Sequence, residues 1–79
     1  MNYRLLYFAS LADAAGMSAE TRGSTAATPA ALYAEVARAH GFAFARERLR
    51  VAVNGAFADW DRRLQDGDEV VFVPPVSGG

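Results

Sequence analysis

The sequence contains no cysteine and no lysine, and these two absences exclude several kinds of chemistry. Without cysteine the chain can form neither a disulfide nor a thiolate nucleophile, and it has no sulfur ligand for zinc. Without lysine there is no side-chain amine for Schiff-base chemistry. The only histidine, His40, cannot form a metal site by itself. The chain is therefore poor in the residues from which catalytic centres are usually built.

An excess of one charge and a long apolar run are also missing. Eight arginines stand against nine acidic residues, so no strong field exists that would attract nucleic acid or an anionic membrane. The longest apolar stretches are far too short for a membrane span, and the N-terminus lacks the charged start and apolar run of a signal peptide. We expect a cytoplasmic protein that binds neither nucleic acid nor a membrane.

The sequence does contain enough apolar residues for one small domain. Hydrophobic residues make up 52% of the 79 positions, which fits a globular chain with one modest core and leaves little room for a deep active site. We predict a domain over residues 1–73. Residues 74–79 hold little that can be buried, so they are predicted to form a flexible C-terminal tail.

The clearest local pattern predicts one main helix over Pro29–His40. Thr28 can cap free amides at its start, Pro29 suits the first helical position, and Gly41 suits the end. Apolar residues recur at spacings of three and four, which gives one apolar stripe with two flanking positions. The stripe comprises Leu32, Val36 and Ala39, and the flank comprises Tyr33 and Ala37.

Apolar alternation predicts strands on either side of this helix. They are expected over residues 2–9, 17–23, 49–53 and 69–73, with a short returning strand at 57–60. The 69–73 run is almost continuously apolar, which suits a central position in the sheet, and the first strand is expected beside it. The predicted fold class is α+β, a mixed sheet of four or five strands with one main helix packed on one face.

The first strand predicts that both faces of this sheet are apolar. Successive side chains of a strand point to opposite faces. The inward positions are Tyr3, Leu5 and Tyr7, and the opposite positions are Arg4, Leu6 and Phe8. The second face carries too many apolar side chains to be simply exposed to solvent. Elsewhere, Asn54-Gly55 predicts a tight hairpin turn, and residues 10–16 form a short connection with room for one helical turn.

The C-terminus, Pro74-Pro75-Val76-Ser77-Gly78-Gly79, is the most distinctive part of the sequence. Neither proline can donate to a strand ladder, so the pair ends the last strand with a stiff exit. Glycine has no Cβ, so a partner can close directly on the backbone and the terminal carboxyl. Six extended residues reach about 20 Å. The pattern predicts a tail that inserts into a narrow channel of a partner. The alternative is a frayed terminus without a function.

Several segments resemble the small, sulfur-carrying subunit of molybdopterin synthase, which acts in molybdenum cofactor biosynthesis. They are residues 6–11, 53–54, 64–70 and, most specifically, 72–79. The resemblance spans the whole chain and implies a ubiquitin-like β-grasp fold. It breaks after the first strand, where the family often has an Arg-Glu pair and this chain has Ala12-Asp13. A contact that the family makes through that arginine has no counterpart here.

The resemblance also implies a mechanism centred on Gly79. An E1-like adenylyltransferase uses ATP and magnesium to convert the Gly79 carboxylate into an acyl adenylate. Sulfur from a donor such as a cysteine desulfurase or rhodanese system then forms a thiocarboxylate. The loaded tail enters the large synthase subunit and delivers sulfur to a cyclic pyranopterin phosphate. Gly79 is then the only chemically active residue, and the chain itself binds no cofactor and no metal.

The resemblance implies partner-binding residues in two groups. The first group positions Gly79 and comprises Pro74, Pro75, Val76, Ser77 and Gly78. The second is a hydrophobic platform for both partners, formed by Phe8, Phe57 and Val73. Alternation independently places Phe8 and Val73 away from the core, whereas for Phe57 the alternative is a buried hairpin residue. The implied synthase is a heterotetramer of two small and two large chains.

Two other functions share this fold and tail. One is a sulfur carrier of another pathway, such as thiamine or tungsten cofactor synthesis, and the Pro-Pro-Val-Ser spacer disfavours the thiamine type. The other is a ubiquitin-like modifier that is conjugated through Gly79 to lysines of other proteins. An isopeptide-linked adduct in place of a thiocarboxylate would favour the modifier.

For the acidic residues near the C-terminus and for His40, a structural role explains the sequence better than a metal site. Five acidic residues between positions 59 and 69 do not fit the spacing of an EF-hand loop, and turn chemistry explains Asp66 and Asp68 better than calcium binding. His40 is expected to be a cation at a helix C-terminus or a surface group.

The alternating arginines Arg46, Arg48 and Arg50 form the one basic cluster. If this segment is extended, all three charges lie on one face and could meet an acidic partner surface. A solvated strand edge, which also discourages aggregation, is the favoured interpretation.

Overall fold

The structure is a computed structural model and describes residues 1–75. The chain runs strand, helix, strand, helix, 3₁₀ turn and then three strands. The strands are β1 (Asn2–Tyr7), β2 (Ala19–Gly23), β3 (Arg50–Val53), β4 (Ala56–Ala58) and β5 (Glu69–Val73), the helices are α1 (Ala9–Ala15) and α2 (Pro29–His40), and the 3₁₀ turn is Arg46–Arg48.

The five strands form one mixed sheet in the order β2-β1-β5-β3-β4. β1 and β5 run parallel, with Leu5 opposite Val70, and the other neighbouring pairs are antiparallel. The predicted placement of the first strand beside the last is confirmed, and so is the central position of β5. With α2 packed on one face, the topology is the predicted α+β class and the ubiquitin-like β-grasp arrangement.

The core lies between the sheet and α2 because every second strand residue points toward the helix. Tyr3, Leu5 and Tyr7 of β1 are buried, as predicted. The buried strand residues that join them are Val51, Val53, Val70 and Phe72, and the helix contributes Pro29, Leu32, Tyr33 and Val36. The hydroxyl of Tyr3 donates to the carbonyl oxygen of Ala26 at 2.5 Å, so this buried polar group is satisfied.

Helix α2 begins and ends where the sequence predicts. The hydroxyl oxygen of Thr28 accepts a hydrogen bond from the N–H of Ala31 at 3.2 Å, which caps the first turn. Gly41 has φ of 73°, in the left-handed region that glycine adopts without strain, and its N–H donates to the carbonyl oxygen of Ala37. The cap and the stop residue thus act as predicted.

The apolar stripe of α2 needs one correction. Ala39 is exposed, and the inward side continues from Val36 to His40, four residues later. His40 is also not a surface group, since only 14% of its side chain is exposed. It packs edge-on against Tyr7 and beside Phe42. His40 does lie at the end of α2, but the interpretation as a surface group is wrong, because His40 has polar and aromatic partners on β1 and β2 that helical spacing does not reveal.

Every strand except β5 has at least one boundary that differs from its predicted position: β1 ends at Tyr7, β2 begins at Ala19, β3 begins at Arg50, and β4 covers Ala56–Ala58. β1 ends at Tyr7 because the chain turns into α1 at Ala9, which has φ of 50°. β4 begins at Ala56, one residue earlier than expected, because the turn at Asn54-Gly55 has positive φ at both residues and lets pairing resume at once. The hairpin turn itself is confirmed.

Helix α1 is longer than the single turn for which the sequence left room. It has seven residues, is anchored by the buried Leu11, and ends at Gly16 with φ of 73°. Across residues 1–75, neither helix is long and apolar enough to cross a membrane.

Candidate functional site

The face of the sheet opposite α2, the outer face, carries an apolar row across four strands. The strand register joins Leu6 to Val71, Val71 to Ala52, and Ala52 to Phe57. Leu6, Val71 and Ala52 are only partly buried, whereas the neighbouring strand residues that point inward are fully buried. The outer face therefore keeps apolar side chains accessible, as the alternation in the first strand predicts.

A second row lies next to the first, toward the end of β5. Val73 pairs with Arg50 of β3, and Phe8 directly follows Tyr7, whose partner on β5 is Phe72. Phe8 thus leaves β1 close to the last residue of β5. We call the apolar residues of both rows the outer platform: Leu6, Phe8, Ala52, Phe57, Val71 and Val73.

Two aromatic side chains of the outer platform are strongly exposed. Phe57 is 62% exposed and Phe8 is 53% exposed, and Val73 is half-buried. Phe57 lies on the short edge strand β4, opposite Ala52, so its ring points away from the core. The interpretation of Phe57 as a buried hairpin residue is therefore wrong. An exposed apolar patch of this kind usually marks an interaction site.

The backbone next to Phe8 is strained. Ala9 has φ of 50°, a left-handed conformation that costs a residue with a Cβ about 1–2 kcal/mol. This conformation turns the chain from β1 into α1 and leaves Phe8 in an extended conformation just before the helix. Strained residues are often found at functional sites, and here the strain lies directly beside an exposed aromatic side chain.

The tail leaves the sheet from its central strand, beside the outer platform. Pro74 is half-buried and Pro75 is exposed, and neither belongs to β5. The prediction that the proline pair ends the last strand is confirmed. Val76, Ser77, Gly78 and Gly79 lie outside the described residues, so the roles expected for them stay predictions.

A hydrogen-bond brace fixes the end of the β3–β4 hairpin to the start of β5. The side-chain amide of Asn54 donates to Asp68 at 2.9 Å, and its oxygen accepts from the N–H of Glu69 at 2.9 Å. Asp68 also accepts from the backbone N–H of Gln65. The hydrogen bond from Gln65 lowers the pKa of Asp68, and the one from Asn54 acts in the same direction. Burial raises the pKa, but the hydrogen bonds outweigh it. Asp66 accepts from the N–H of Asn2, so both aspartates act in turns, as predicted.

A second polar cluster ties β1 and β2 to the end of α2. Glu20 accepts hydrogen bonds from the hydroxyl of Tyr7 at 2.5 Å and from the Nε2 side of His40 at 2.8 Å. Burial alone would raise the pKa of Glu20, but these partners outweigh it and lower the pKa. Burial and the bond to Glu20 raise the pKa of Tyr7. The role of this cluster is therefore structural: it holds β1 and β2 to the end of α2.

The described residues contain little catalytic equipment. Within residues 1–75 no group of three or more histidine or acidic side chains could hold a metal ion. An open cavity of about 410 Å³ lies near the start of α2, where Arg46, Asp59, Trp60 and Asp61 form part of its lining. The arrangement is suited to docking through the outer platform and to presenting a tail.

The arginine cluster differs from its predicted form. Arg46 and Arg48 belong to a 3₁₀ turn and only Arg50 is in a strand, so the segment is not extended and the three charges do not share one face. Each guanidinium instead lies near a different aromatic ring, a pairing that requires the folded positions of Phe44, Trp60 and Phe57. No spacing rule within the sequence could have revealed these partners.

Comparison with known proteins agrees with this geometry. A sequence model of the ThiS family matches residues 5–79. The molybdopterin synthase sulfur carrier subunit of Escherichia coli (strain K12) is 37% identical, in an alignment that covers 96% of this chain and 98% of that protein. The family match includes residues 76–79, which lie outside the described residues.

Two solved structures share the fold over nearly their whole length. SAMP1 from Haloferax volcanii has a TM-score of 0.81 and 27% identity, with all of both chains covered. A protein from Pyrococcus furiosus, named as a candidate molybdopterin converting factor subunit 1, has a TM-score of 0.77 and 28% identity, with 96% of this chain and 99% of that chain covered. These likenesses confirm the ubiquitin-like β-grasp fold, and the match of the family model to nearly every residue shows that the chain belongs to the ThiS family.

Proposed function

We propose that the chain is the sulfur carrier of molybdenum cofactor biosynthesis and the small subunit of a molybdopterin synthase. The observation that carries this proposal is the position of an exposed apolar platform at the root of a tail that ends in Gly78-Gly79. The 37% identity to a molybdopterin synthase sulfur carrier subunit supports the choice of pathway. The spacer Pro74-Pro75-Val76-Ser77 disfavours a thiamine carrier, and a tungsten cofactor carrier is the close variant of the same function.

The proposed chemistry takes place on the carboxyl group of Gly79. A carboxylate is a poor electrophile, because its oxygen is a poor leaving group. An E1-like adenylyltransferase removes this obstacle: the carboxylate attacks the α-phosphate of magnesium-bound ATP, pyrophosphate leaves, and an acyl adenylate forms. The outer sulfur of a persulfide on a cysteine desulfurase or rhodanese system then attacks the acyl carbon and displaces AMP, which gives an acyl disulfide. A thiol reductant cleaves the S–S bond of this acyl disulfide and leaves the thiocarboxylate on Gly79. This chain contributes the carboxyl group, and the partner enzymes contribute the catalytic side chains.

The outer platform is the proposed docking surface for the large subunit. A tail of six residues reaches about 20 Å when extended, so its end can enter a partner's active site only if the partner binds close to Val73. Phe8 and Phe57 flank that point and offer aromatic surface that is already exposed. Burial of such side chains in an interface typically supplies most of its affinity. The proposed assembly contains two small and two large chains.

A ubiquitin-like protein modifier is the second candidate function. The specific observation in its favour is the likeness to SAMP1 of Haloferax volcanii, a small archaeal modifier protein, at 27% identity over the whole of both chains. A modifier would use the same adenylate, but a lysine amine on another protein would displace AMP and form an isopeptide bond through Gly79. Recovery of such adducts from the native cell would decide for the modifier.

Adenylation provides the direct test of the proposed function. The chain is mixed with the adenylyltransferase of the same organism, ATP and magnesium, and pyrophosphate release is measured. The matched control is the chain with one residue added after Gly79, which keeps residues 1–75 and therefore the fold. We expect pyrophosphate release from the natural chain and none from the extended one. Equal release from both would mean that the free carboxyl of Gly79 is not the reacting group.

A further inference from the structure

Three exposed arginines each lie near an aromatic ring of this chain. The Cζ atom of Arg50 is 4.3 Å from the centroid of Phe57, and those of Arg48 and Arg46 are each 5.7 Å from the rings of Phe44 and Trp60. Cations within about 6 Å of a ring centroid are attracted by the negative face of the ring. The contact of Arg50 is the shortest, and its ring is the most exposed large apolar side chain of the described residues.

Arg50 is the only one of the three that belongs to the outer face. It lies directly across from Val73 in the sheet, at the root of the tail, and its guanidinium lies over Phe57 of the outer platform. The ring of Phe57 supports the guanidinium from one side, and the N–H groups at the edge of a stacked guanidinium remain free to donate. Phe57 is therefore a positioning residue for Arg50.

Arg50 has no ion-pair partner among residues 1–75. The salt bridges of this part of the chain involve Arg4, Arg22 and His40, with Glu20, Glu35 and Glu69 as acceptors. In the segment 42–57, only Glu47 carries a negative charge. Arg46 lines the same cavity as Asp59 and Asp61, so its charge has acidic side chains of its own chain at the same cavity, although it forms no salt bridge with them. The positive charge of Arg50 is left for something outside residues 1–75.

Docking through the outer platform places a demand on the partner. A surface that covers Val73 and Phe57 also covers Arg50, because Arg50 pairs with the first and lies over the second. Removal of an unpaired guanidinium from water costs several kcal/mol unless a counter-charge and hydrogen bonds replace the water. A carboxylate meets this demand, since its two oxygens match the fork of the guanidinium.

We propose that Arg50, held over Phe57, binds a carboxylate on the large subunit that receives the tail. The inference rests on the proposed function and adds the chemistry of the partner: an aspartate or glutamate next to the mouth of the channel for the tail. A protein carboxylate fits better than a nucleic acid phosphate, because the chain has a net charge of −1 and no extended basic surface. The Arg50–Phe57 pair then fixes the orientation in which the tail enters.

The first test measures the affinity of Arg50→Gln for the large subunit of the same organism by calorimetric titration. We expect binding at least about 30-fold weaker than that of the natural chain, because loss of one partner of a buried interface charge pair costs about 2 kcal/mol or more and each 1.4 kcal/mol is a factor of ten. The matched control is Arg38→Gln, which removes the same charge from an exposed position on α2, behind the other face of the sheet. It should bind like the natural chain. Melting curves check that both variants fold.

The second test identifies the carboxylate itself. Each acidic residue near the channel mouth of the large subunit is changed to its amide, and each variant is titrated with the natural chain and with Arg50→Gln. One position should show strong coupling to Arg50 in the double-mutant cycle, and that coupling should shrink in a Phe57→Leu background, which keeps an apolar side chain but removes the ring.

The outcomes separate the inference from the function on which it rests. If the natural chain binds the large subunit and Arg50→Gln binds equally well, or if no acidic position couples to Arg50, the inference is overturned and the proposed function stands. If the natural chain does not bind the large subunit at all, both are overturned.

Discussion

The two faces of the sheet are built from the same strands but do different work. On the inner face the side chains of Leu5, Val70 and Phe72 are fully buried against α2. On the outer face their immediate neighbours Leu6, Val71 and Val73 are only partly covered. Alternation places an apolar side chain on both sides of β1 and β5, and one helix can cover only one side. The uncovered side is therefore available for a partner, and the covered side supplies the stability of the free chain.

The largest contrast is expected between two adjacent residues of β5. Phe72→Ala removes a fully buried ring that packs against Tyr33 and Trp60, and it should lower the free energy of unfolding by about 3–5 kcal/mol. Val71→Ala, on the outer face, should lower it by about 1 kcal/mol or less, because its surroundings are already partly open to water. Urea denaturation of both variants measures the difference. Similar losses would show that the outer face is also part of the core.

The next contrast concerns binding. Phe57→Asp places a charge in the centre of the proposed interface and should weaken binding to the large subunit by about 2–4 kcal/mol, with little change in the melting curve. Val73→Asp should act in the same direction. Calorimetric titration gives the affinity and a thermal melt gives the stability. If affinity is unchanged, or is lost only because the variant unfolds, the outer platform is not the docking surface.

The smallest expected effect is the dependence of the stability of the fold on pH. The hydrogen bond from Arg22 to Glu35, together with that from Ser24, lowers the pKa of Glu35. The pKa values of Glu20 and Asp68 are also lowered by their hydrogen-bond partners. A carboxyl with a lowered folded pKa stabilises the fold above its unfolded pKa, about 4, and that stability is lost as the pH falls through the folded value. The melting temperature should therefore fall with acidification below about pH 4.5.

Glu35→Gln tests the origin of this acid sensitivity. It should melt at a lower temperature than the natural chain at neutral pH, and it should lose less on acidification, because one titrating group is gone. Phe57→Leu, on the outer face, is the control, and its melting temperature should change with pH as that of the natural chain does. An equal change of melting temperature with pH for Glu35→Gln and the natural chain would contradict this account.

The sequence was sufficient for the fold because its local signals agree with one another. The cap at Thr28, the stop at Gly41 and the positive-φ turn at Asn54-Gly55 depend on backbone requirements that neighbouring residues satisfy. Alternation then placed Tyr3, Leu5 and Tyr7 in the core without reference to distant residues. The resemblance of the C-terminus led to the proposed function, which fold alone does not specify.

Two of the features that were missed depend on contacts between different elements of the fold. His40 is largely buried because Glu20, on β2, supplies its hydrogen-bond partner. Arg50 lies over Phe57 because β3 and β4 pair in a particular register. Helical spacing and charge spacing describe neighbours along the chain, so neither pattern could predict contacts across the sheet.

The central claim is that Gly79 carries sulfur, and the mass of the intact protein isolated from its native cell tests it most directly. The account predicts a fraction of the chain that is heavier by the difference between one sulfur and one oxygen atom, with the gain located on the C-terminal fragment after proteolysis. That fraction should disappear in cells that lack the adenylyltransferase. A C-terminus that is always an ordinary carboxylate, or that is joined to lysines of other proteins, would contradict the account.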